Sequence, residues 1–328
     1  MKEMNFVQAV NEGIREEMRR DKSVFVVGED SASGPLGLAA GLAEEFGRER
    51  VINAPLSEEG FVGTAVGAAA AGMRPIVDLS LFSFSYVAFD QIVSHAGKLR
   101  HMSGGQFKLP MVILGISGAM SGMAAQHAES PQAMFMNAPG LKIVMPTTPY
   151  DGKGLLKASI RDDNPVLFFQ HSRVRGLKAS IPEEDYVVPL GVAEIRRVGT
   201  DVTVVGIGGM VLLALAAAEE FAKEGISVEV IDPRTLVPLD KKTILDSVKK
   251  TNRLVILDDA PRTCGAAAEI AAVVVEDDDA FGYLDAPIQR VTREQVPVPF
   301  SRPMENFVIP DLNKVKAAIQ KVMRKQKR

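Results

Sequence analysis

The sequence predicts an α/β protein made of two three-layer α/β/α domains. Continuous apolar runs such as Val24-Phe25-Val26-Val27 and Val166-Leu167-Phe168-Phe169 suit strands buried on both faces, as in parallel sheets. These runs alternate with amphipathic or small-residue stretches of helical length. The alternation lapses over residues 171–189, where Arg173, Arg175, Lys178, Pro182, Glu183, Glu184 and Asp185 show no apolar period, and then resumes. A chain of 328 residues is long enough for two domains. The expected boundaries are 1–172 and 190–328, with 173–189 as linker.

In order, Phe6, Val10, Ile14 and Met18 recur every four residues and predict an opening amphipathic helix. The strand Val24 to Val27 ends in Gly28-Glu29-Asp30, at the edge where open parallel sheets bind ligands. A loop rich in Gly, Ala and Ser follows over 31–41. The stretch Pro55-Leu56-Ser57-Glu58-Glu59-Gly60 lies between the strand Arg50-Val51-Ile52 and a small-residue tract, Gly60 to Gly72. Ser57 is placed to cap a helix, and carboxylates in its first turn suit the dipole. Each glycine inside that helix costs about 1 kcal/mol against alanine. Close approach of another backbone or a flat ligand would offset this, and so would plain helix–sheet packing.

Pro75 to Leu79 is the next strand, followed by an aromatic group of Phe82, Phe84, Tyr86 and Phe89 and a helix from Ala88 to Leu99. Strands at Pro110–Ile116, Lys142–Pro146 and Val166–Phe169 and a helix at Asp151–Ile160 complete the first half. The second half repeats the pattern. It has strands at Val202–Val205, Ser227–Ile231 and Leu254–Leu257, helices at Met210–Phe221, Lys241–Val248 and Ala266–Val275, and a last helix from Asp311 to about Met323.

Composition excludes several classes of function. A net charge of −3 argues against a nucleic-acid partner. One cysteine, Cys264, allows neither an internal disulfide nor a thiolate metal site and fits a reducing compartment. No apolar run approaches the ~18 residues of a membrane span. The N-terminus lacks the apolar core of a signal peptide, so a cytoplasmic protein is expected, although a removed organelle presequence would leave no trace. There is no P-loop and no Gly-x-Ser-x-Gly elbow. Gly206-Ile207-Gly208-Gly209 with Asp232 imitates a dinucleotide fingerprint, but Val211 stands where the third glycine belongs, and a tight strand–helix turn explains it as well. His127, after a glycine-rich loop and near a strand's carboxyl end, is either a structural histidine or a proton shuttle. The acidic run Glu276 to Asp279 and the basic tail Lys325, Lys327 and Arg328 read as solvated charge.

Eight blocks occur in one order: Pro55 to Gly60, Phe89-Asp90-Gln91, Met102 to Gly105, Ala124 to His127, Pro139 to Lys142, Ile160 to Pro165, Asp232 to Leu236 and Ala260 to Thr263. In them the chain resembles, over nearly its whole length, the beta subunit of the thiamine-diphosphate-dependent E1 component of 2-oxo acid dehydrogenases, the pyruvate and acetoin branch especially. The resemblance implies a pyrimidine-binding domain followed by a transketolase C-terminal domain. It implies that Glu58 bonds the aminopyrimidine of thiamine diphosphate and, buried beside it, has a raised pKa. It further implies that Leu56 walls the ring, that Phe84 packs on it and that Glu29 lies near the reacting centre. His127 would handle protons or guide the lipoyl group during reductive acylation. Ile160, Asp162 and Asn164 match a loop that binds potassium in some members.

The magnesium-holding Gly-Asp-Gly motif of such enzymes is absent from this chain. Half an active site is therefore expected here, with magnesium and the diphosphate on an alpha subunit in an alpha2beta2 heterotetramer and a lipoyl-bearing E2 acyltransferase as onward partner. The expected reaction is decarboxylation of a pyruvate-like 2-oxo acid, or cleavage of acetoin, with transfer of the acyl or hydroxyalkyl group to lipoamide. The other readings are a split transketolase subunit, a non-catalytic assembly subunit of the same fold, and a nucleotide-binding electron-transfer subunit using Gly206 to Gly209. The chain departs from the family pattern at Asn53-Ala54 (commonly Asp-Thr), His101 (an aromatic), Leu212 (often polar) and Arg293 (a glycine).

Overall fold

The computed structural model describes residues 1–34, 36–119 and 122–324 and divides into two compact units. The basic tail residues Lys325, Lys327 and Arg328 lie outside the described residues. The first unit comprises residues 1–117 and 134–190, the second 118–133 and 191–328.

The first unit opens with β1 (Lys2–Asn5) and α1 (Phe6–Arg20), followed by β2 (Val24–Glu29), α2 (Leu42–Phe46), β3 (Val51–Ala54), α3 (Glu58–Ala70), β4 (Arg74–Leu81), α4 (Leu99–Met102) and β5 (Val112–Ser117). The chain then passes through α5 (Ala124–His127), which belongs to the second unit, and α6 (Gln132–Met136). It continues as β6 (Lys142–Val144), α7 (Pro149–Arg161), β7 (Val166–His171) and β8 (Lys178–Ile181). The main strands lie in the order β6-β7-β5-β4-β2-β3, all parallel. Every residue of β5 and β7 is buried, as expected of strands covered on both faces.

Asn5 caps α1 through a reciprocal bond with Gln8, and the predicted face of Phe6, Val10, Ile14 and Met18 is buried. It packs on α7, where a Cβ on Gly152 would come 3.0 Å from the Phe6 ring. The expected linker 173–189 is structured. It holds β8, which pairs antiparallel with β1, and it belongs to the first unit. Some of its charges have partners: Asp185 bonds Arg161 at 3.0 Å and also reaches Lys157. Charge pairing there replaces the apolar period that marks elements elsewhere. The helix expected from Ala88 to Leu99 is instead a π-helical turn over Gln91–Ala96 followed by α4.

The second unit holds β9 (Glu194–Arg197), β10 (Val202–Gly206), α8 (Met210–Lys223), β11 (Val228–Asp232), β12 (Thr235–Val237), α9 (Lys241–Thr251), β13 (Leu254–Pro261), α10 (Ala266–Val275), α11 (Asp278–Gly282), β14 (Gln289–Arg293), α12 (Arg302–Val308) and α13 (Leu312–Met323). Its sheet runs β14-β13-β10-β11-β9, parallel except for β9. Val204, Val230, Val255 and Leu257 of the sheet pack with Val211 and Phe221 of α8 and Val315 and Ile319 of α13. No helix among the described residues is long and apolar enough to cross a membrane.

Candidate active site

Because β4, β2 and β3 are parallel neighbours, their carboxyl ends share one edge of the first unit's sheet. The chain moves from β2 outward to β3 and then returns to the other side of β2 as β4. This reversal makes the gap between β2 and β4 the switch point, where doubly wound sheets open a ligand crevice. Glu29 ends β2 and lies in register with Ala54, which ends β3. Glu58 is the first residue of α3, four positions on. Phe84 lies in the 3-10 turn Phe82–Tyr86 that follows β4. The topology thus gathers Glu29, Leu56, Glu58 and Phe84 at one edge.

Glu29, Glu58 and Phe84 are half-buried, whereas Leu56 is 73% exposed. Among the described residues, neither the Glu29 nor the Glu58 carboxylate has a hydrogen-bond or ion-pair partner. Glu58 is not enclosed as expected, because the corner around it faces outward, with Pro55, Leu56, Ser57, Glu59 and Gly60 all exposed. Ser57 occupies the N-cap position, but its hydroxyl makes no cap bond. The helix dipole favours the two carboxylates of the first turn. Of the aromatic group, Phe82 is core, stacked on Phe169 at 3.6 Å, and Phe89 packs on Phe135 at 5.5 Å. Phe84 is half-buried in the turn that follows β4.

Three buried hydroxyls, Ser31 after β2, Ser83 after β4 and Ser117 at the end of β5, have no hydrogen-bond partner among the described residues. Buried polar atoms without partners are costly. With the unpaired carboxylates, they fit a polar heterocyclic ligand at this edge. Sequence reasoning missed Asp78, which is buried in β4 and accepts from the Ser80 amide at 2.8 Å. Burial pushes its carboxyl up to about 6, against the Ser80 amide and the Arg175 charge. An acid inside the apolar run Pro75 to Leu79 was the available signal. A Cβ on Gly28 would come 2.2 Å from the Asp78 carbonyl oxygen, so only glycine lets β2 and β4 approach there.

The loop matched to potassium is already supplied with donors. The Ile160 and Asp162 carbonyls accept from Arg74 at 2.9 and 3.0 Å, the Asp162 carboxylate pairs with Lys142, and Asn164 accepts from Arg100 at 2.6 Å. These three cations do not fit an additional monovalent ion. No cluster of three His, Cys, Asp or Glu suited to a metal occurs among the described residues.

In the second unit, His127 is half-buried and ends α5. Gly206 ends β10, and a Cβ there would lie 2.7 Å from the Val211 backbone, so the glycine cluster 206–209 is a packing turn. Asp232, the would-be ribose ligand, is buried and paired with Arg196 at 2.7 Å. The open groove lined by Ala268, Ala272, Val275, Phe281 and Leu284 holds none of the expected site residues.

Residues 2–174 match the family of the transketolase pyrimidine-binding domain and residues 191–315 that of the transketolase C-terminal domain. The pyruvate dehydrogenase E1 component subunit beta of Rickettsia felis is 46% identical, covering 96% of this chain and 97% of that protein. The acetoin:2,6-dichlorophenolindophenol oxidoreductase subunit beta of Cupriavidus necator is 45% identical, covering 96% of each. The 2-oxoisovalerate dehydrogenase subunit beta of Bacillus subtilis is 42% identical, covering 98% of this chain and 99% of that protein. A solved split-gene transketolase, an inactive beta4 tetramer, superposes with a TM-score of 0.79 over 96% of this chain and 97% of that one, and its 21% identity speaks to fold alone. Two whole-length domain matches and relatives at these identities make this chain a member of the family of E1 beta subunits of 2-oxo acid and acetoin dehydrogenases.

Proposed function

We propose that this chain supplies the pyrimidine half of a thiamine-diphosphate site and works with an alpha subunit, which holds magnesium and the diphosphate, in an alpha2beta2 assembly. Bound thiamine diphosphate supplies a nucleophilic carbon and an electron sink for cleavage next to a carbonyl. The observation that carries this reading is the pair of half-buried carboxylates, Glu29 and Glu58, without partners among the described residues at the switch-point edge. Glu58, at the N-terminus of α3, accepts or shares a proton with a ring nitrogen of the aminopyrimidine. Phe84 gives the ring an apolar face and Leu56 a wall. Glu29 places a carboxyl group near the reacting carbon. His127 acts later, as the proton-handling residue for transfer to the lipoyl group of an E2 acyltransferase. The substrate is a 2-oxo acid or acetoin. The potassium loop takes no part, since Arg74, Lys142 and Arg100 already supply its charge.

The test is Glu58→Gln in the complex reconstituted with its alpha partner. Dye-linked turnover should fall by about 10²–10⁴-fold, the range for loss of a positioned acid–base group, and exchange of the cofactor's C2 proton should slow in parallel. Copurification with the alpha subunit should persist. Full turnover by this variant would remove the reading.

A further inference from the structure

The segment 118–133 leaves β5 and is held within the second unit by charged side chains. The Ala119 amide donates to Asp259 at 3.1 Å, the Gly122 amide to Glu305 at 2.9 Å, and the Gln132 side chain to Asp258 at 2.9 Å. The two residues that follow His127 are held by Arg293, at the end of β14. One arm of its guanidinium donates to the Ala128 carbonyl at 2.9 Å and the other to the Glu129 carboxylate at 2.9 Å. Arg293 is 2% exposed. The helix that carries His127 is one turn long, and its first residue, Ala124, has φ +61. One turn cannot hold itself. Its orientation has to come from tertiary anchors, and a buried guanidinium, permanently charged and forked, is a stiff one.

We propose that Arg293 is the positioning residue for His127. It clamps the two residues that follow the histidine, so that the imidazole keeps one orientation during transfer to the lipoyl group. This rests on the reading of His127 as the transfer histidine. A glycine at this position could make neither contact.

The test is a double-mutant cycle on the complex with its alpha partner, reading lipoamide transfer and dye-linked turnover separately. Arg293→Met keeps the buried volume and removes the clamp. It should slow transfer by up to about 100-fold, the scale of an ångström-sized misplacement, with dye-linked turnover within about twofold of the parent. Arg293→Lys should restore part of the transfer rate, because an ammonium is a point donor without the fork. Arg293→Met added to His127→Ala should slow transfer no further, as expected for coupled groups. Amide exchange over residues 122–130 of the full chain should speed up in Arg293→Met and stay at the parental rate in His127→Ala. Where Arg293→Met gives no folded complex, Glu129→Gln carries the same comparison with a smaller loss. Full-rate transfer by Arg293→Met beside a slow His127→Ala overturns the positioning role alone. Full-rate transfer by His127→Ala overturns the reading of the histidine and the positioning role together.

Discussion

In the first unit the corner from β3 into α3 runs Pro55-Leu56-Ser57-Glu58-Glu59-Gly60. In the second, the corner from β10 into α8 runs Gly206-Ile207-Gly208-Gly209-Met210. Both join a parallel strand to a helix, and in each sheet a neighbouring strand ends in an acid, Glu29 on β2 and Asp232 on β11. The second corner is shut, with residues 206–210 all buried and the Val211 backbone filling the space in front of Gly206. Its acid, Asp232, is buried against Arg196. The first corner is exposed except for half-buried Glu58, and its acids, Glu29 and Glu58, have no partners among the described residues. Glycine spacing reports that something comes close to a backbone. Whether that something is the protein itself or a ligand is decided by the polar groups left unpaired nearby.

Alanine in place of Gly206 tests the shut corner. Its Cβ would sit 2.7 Å from the Val211 Cα and 3.0 Å from the Met210 carbonyl carbon, both backbone atoms at the start of α8. The helix has to move. A loss of about 3 kcal/mol is expected, toward the upper end for overpacking, read as a lower urea midpoint for the second unit. An unchanged midpoint would mean that the corner has slack, and the contrast with the first unit would lose its basis.

The sheet of the first unit was legible because both faces of its strands are covered, so β2, β5 and β7 are continuous apolar runs. The amphipathic α1 was legible for the same reason, one stripe being buried. The region 173–189 was not, because β8 is held by pairing with β1 and by charge contacts such as Asp185 with Arg161, neither of which leaves an apolar period. The residues proposed for the site in the first unit come from a resemblance of motifs, and the strand order places Glu29, Glu58 and Phe84 along one sheet edge. The membership of residues 118–133 in the second unit was not legible, since the ties run through Asp259, Glu305, Asp258 and Arg293, more than 100 positions away. Asp78 stands inside the predicted strand Pro75 to Leu79, and nothing else in the sequence marks it as buried.

That acid gives the first unit a pH signature of its own. Asp78 keeps its proton up to about 6 in the folded chain because burial disfavours the charge, while the unfolded chain releases it at the ordinary carboxylate value. Between those values the folded form binds more protons, so this group's contribution to stability is full at low pH and is lost as pH rises to about 6. Asp78→Asn keeps an acceptor for the Ser80 amide and carries no charge. It should flatten the stability profile of the first unit between about pH 4 and 6 and raise stability at pH 7 by about 3 kcal/mol. Asp258 of the second unit, also pushed up to about 6 by burial, is unaffected by the substitution and serves as the internal contrast. A parallel shift of both units' transitions would assign the effect elsewhere.

The smallest expected effect has the opposite sign to that of Gly206. Gly67 lies inside α3, exposed, with ordinary helical φ and nothing within 4 Å of a built Cβ. None of the described residues therefore needs a glycine there, and the backbone freedom it brings to the unfolded state is uncompensated among them. Gly67→Ala should stabilise the isolated chain by about 0.5–1 kcal/mol, seen as a higher urea midpoint of the first unit with the second unit's transition unmoved. The same one-carbon addition then separates the two corners by sign. At Gly206 it meets backbone and destabilises, and at Gly67 it enters open space and stabilises. A loss of stability at Gly67 would mean that α3 is pressed against its own chain, and the glycines of the open corner would then reflect internal packing rather than room left for something else.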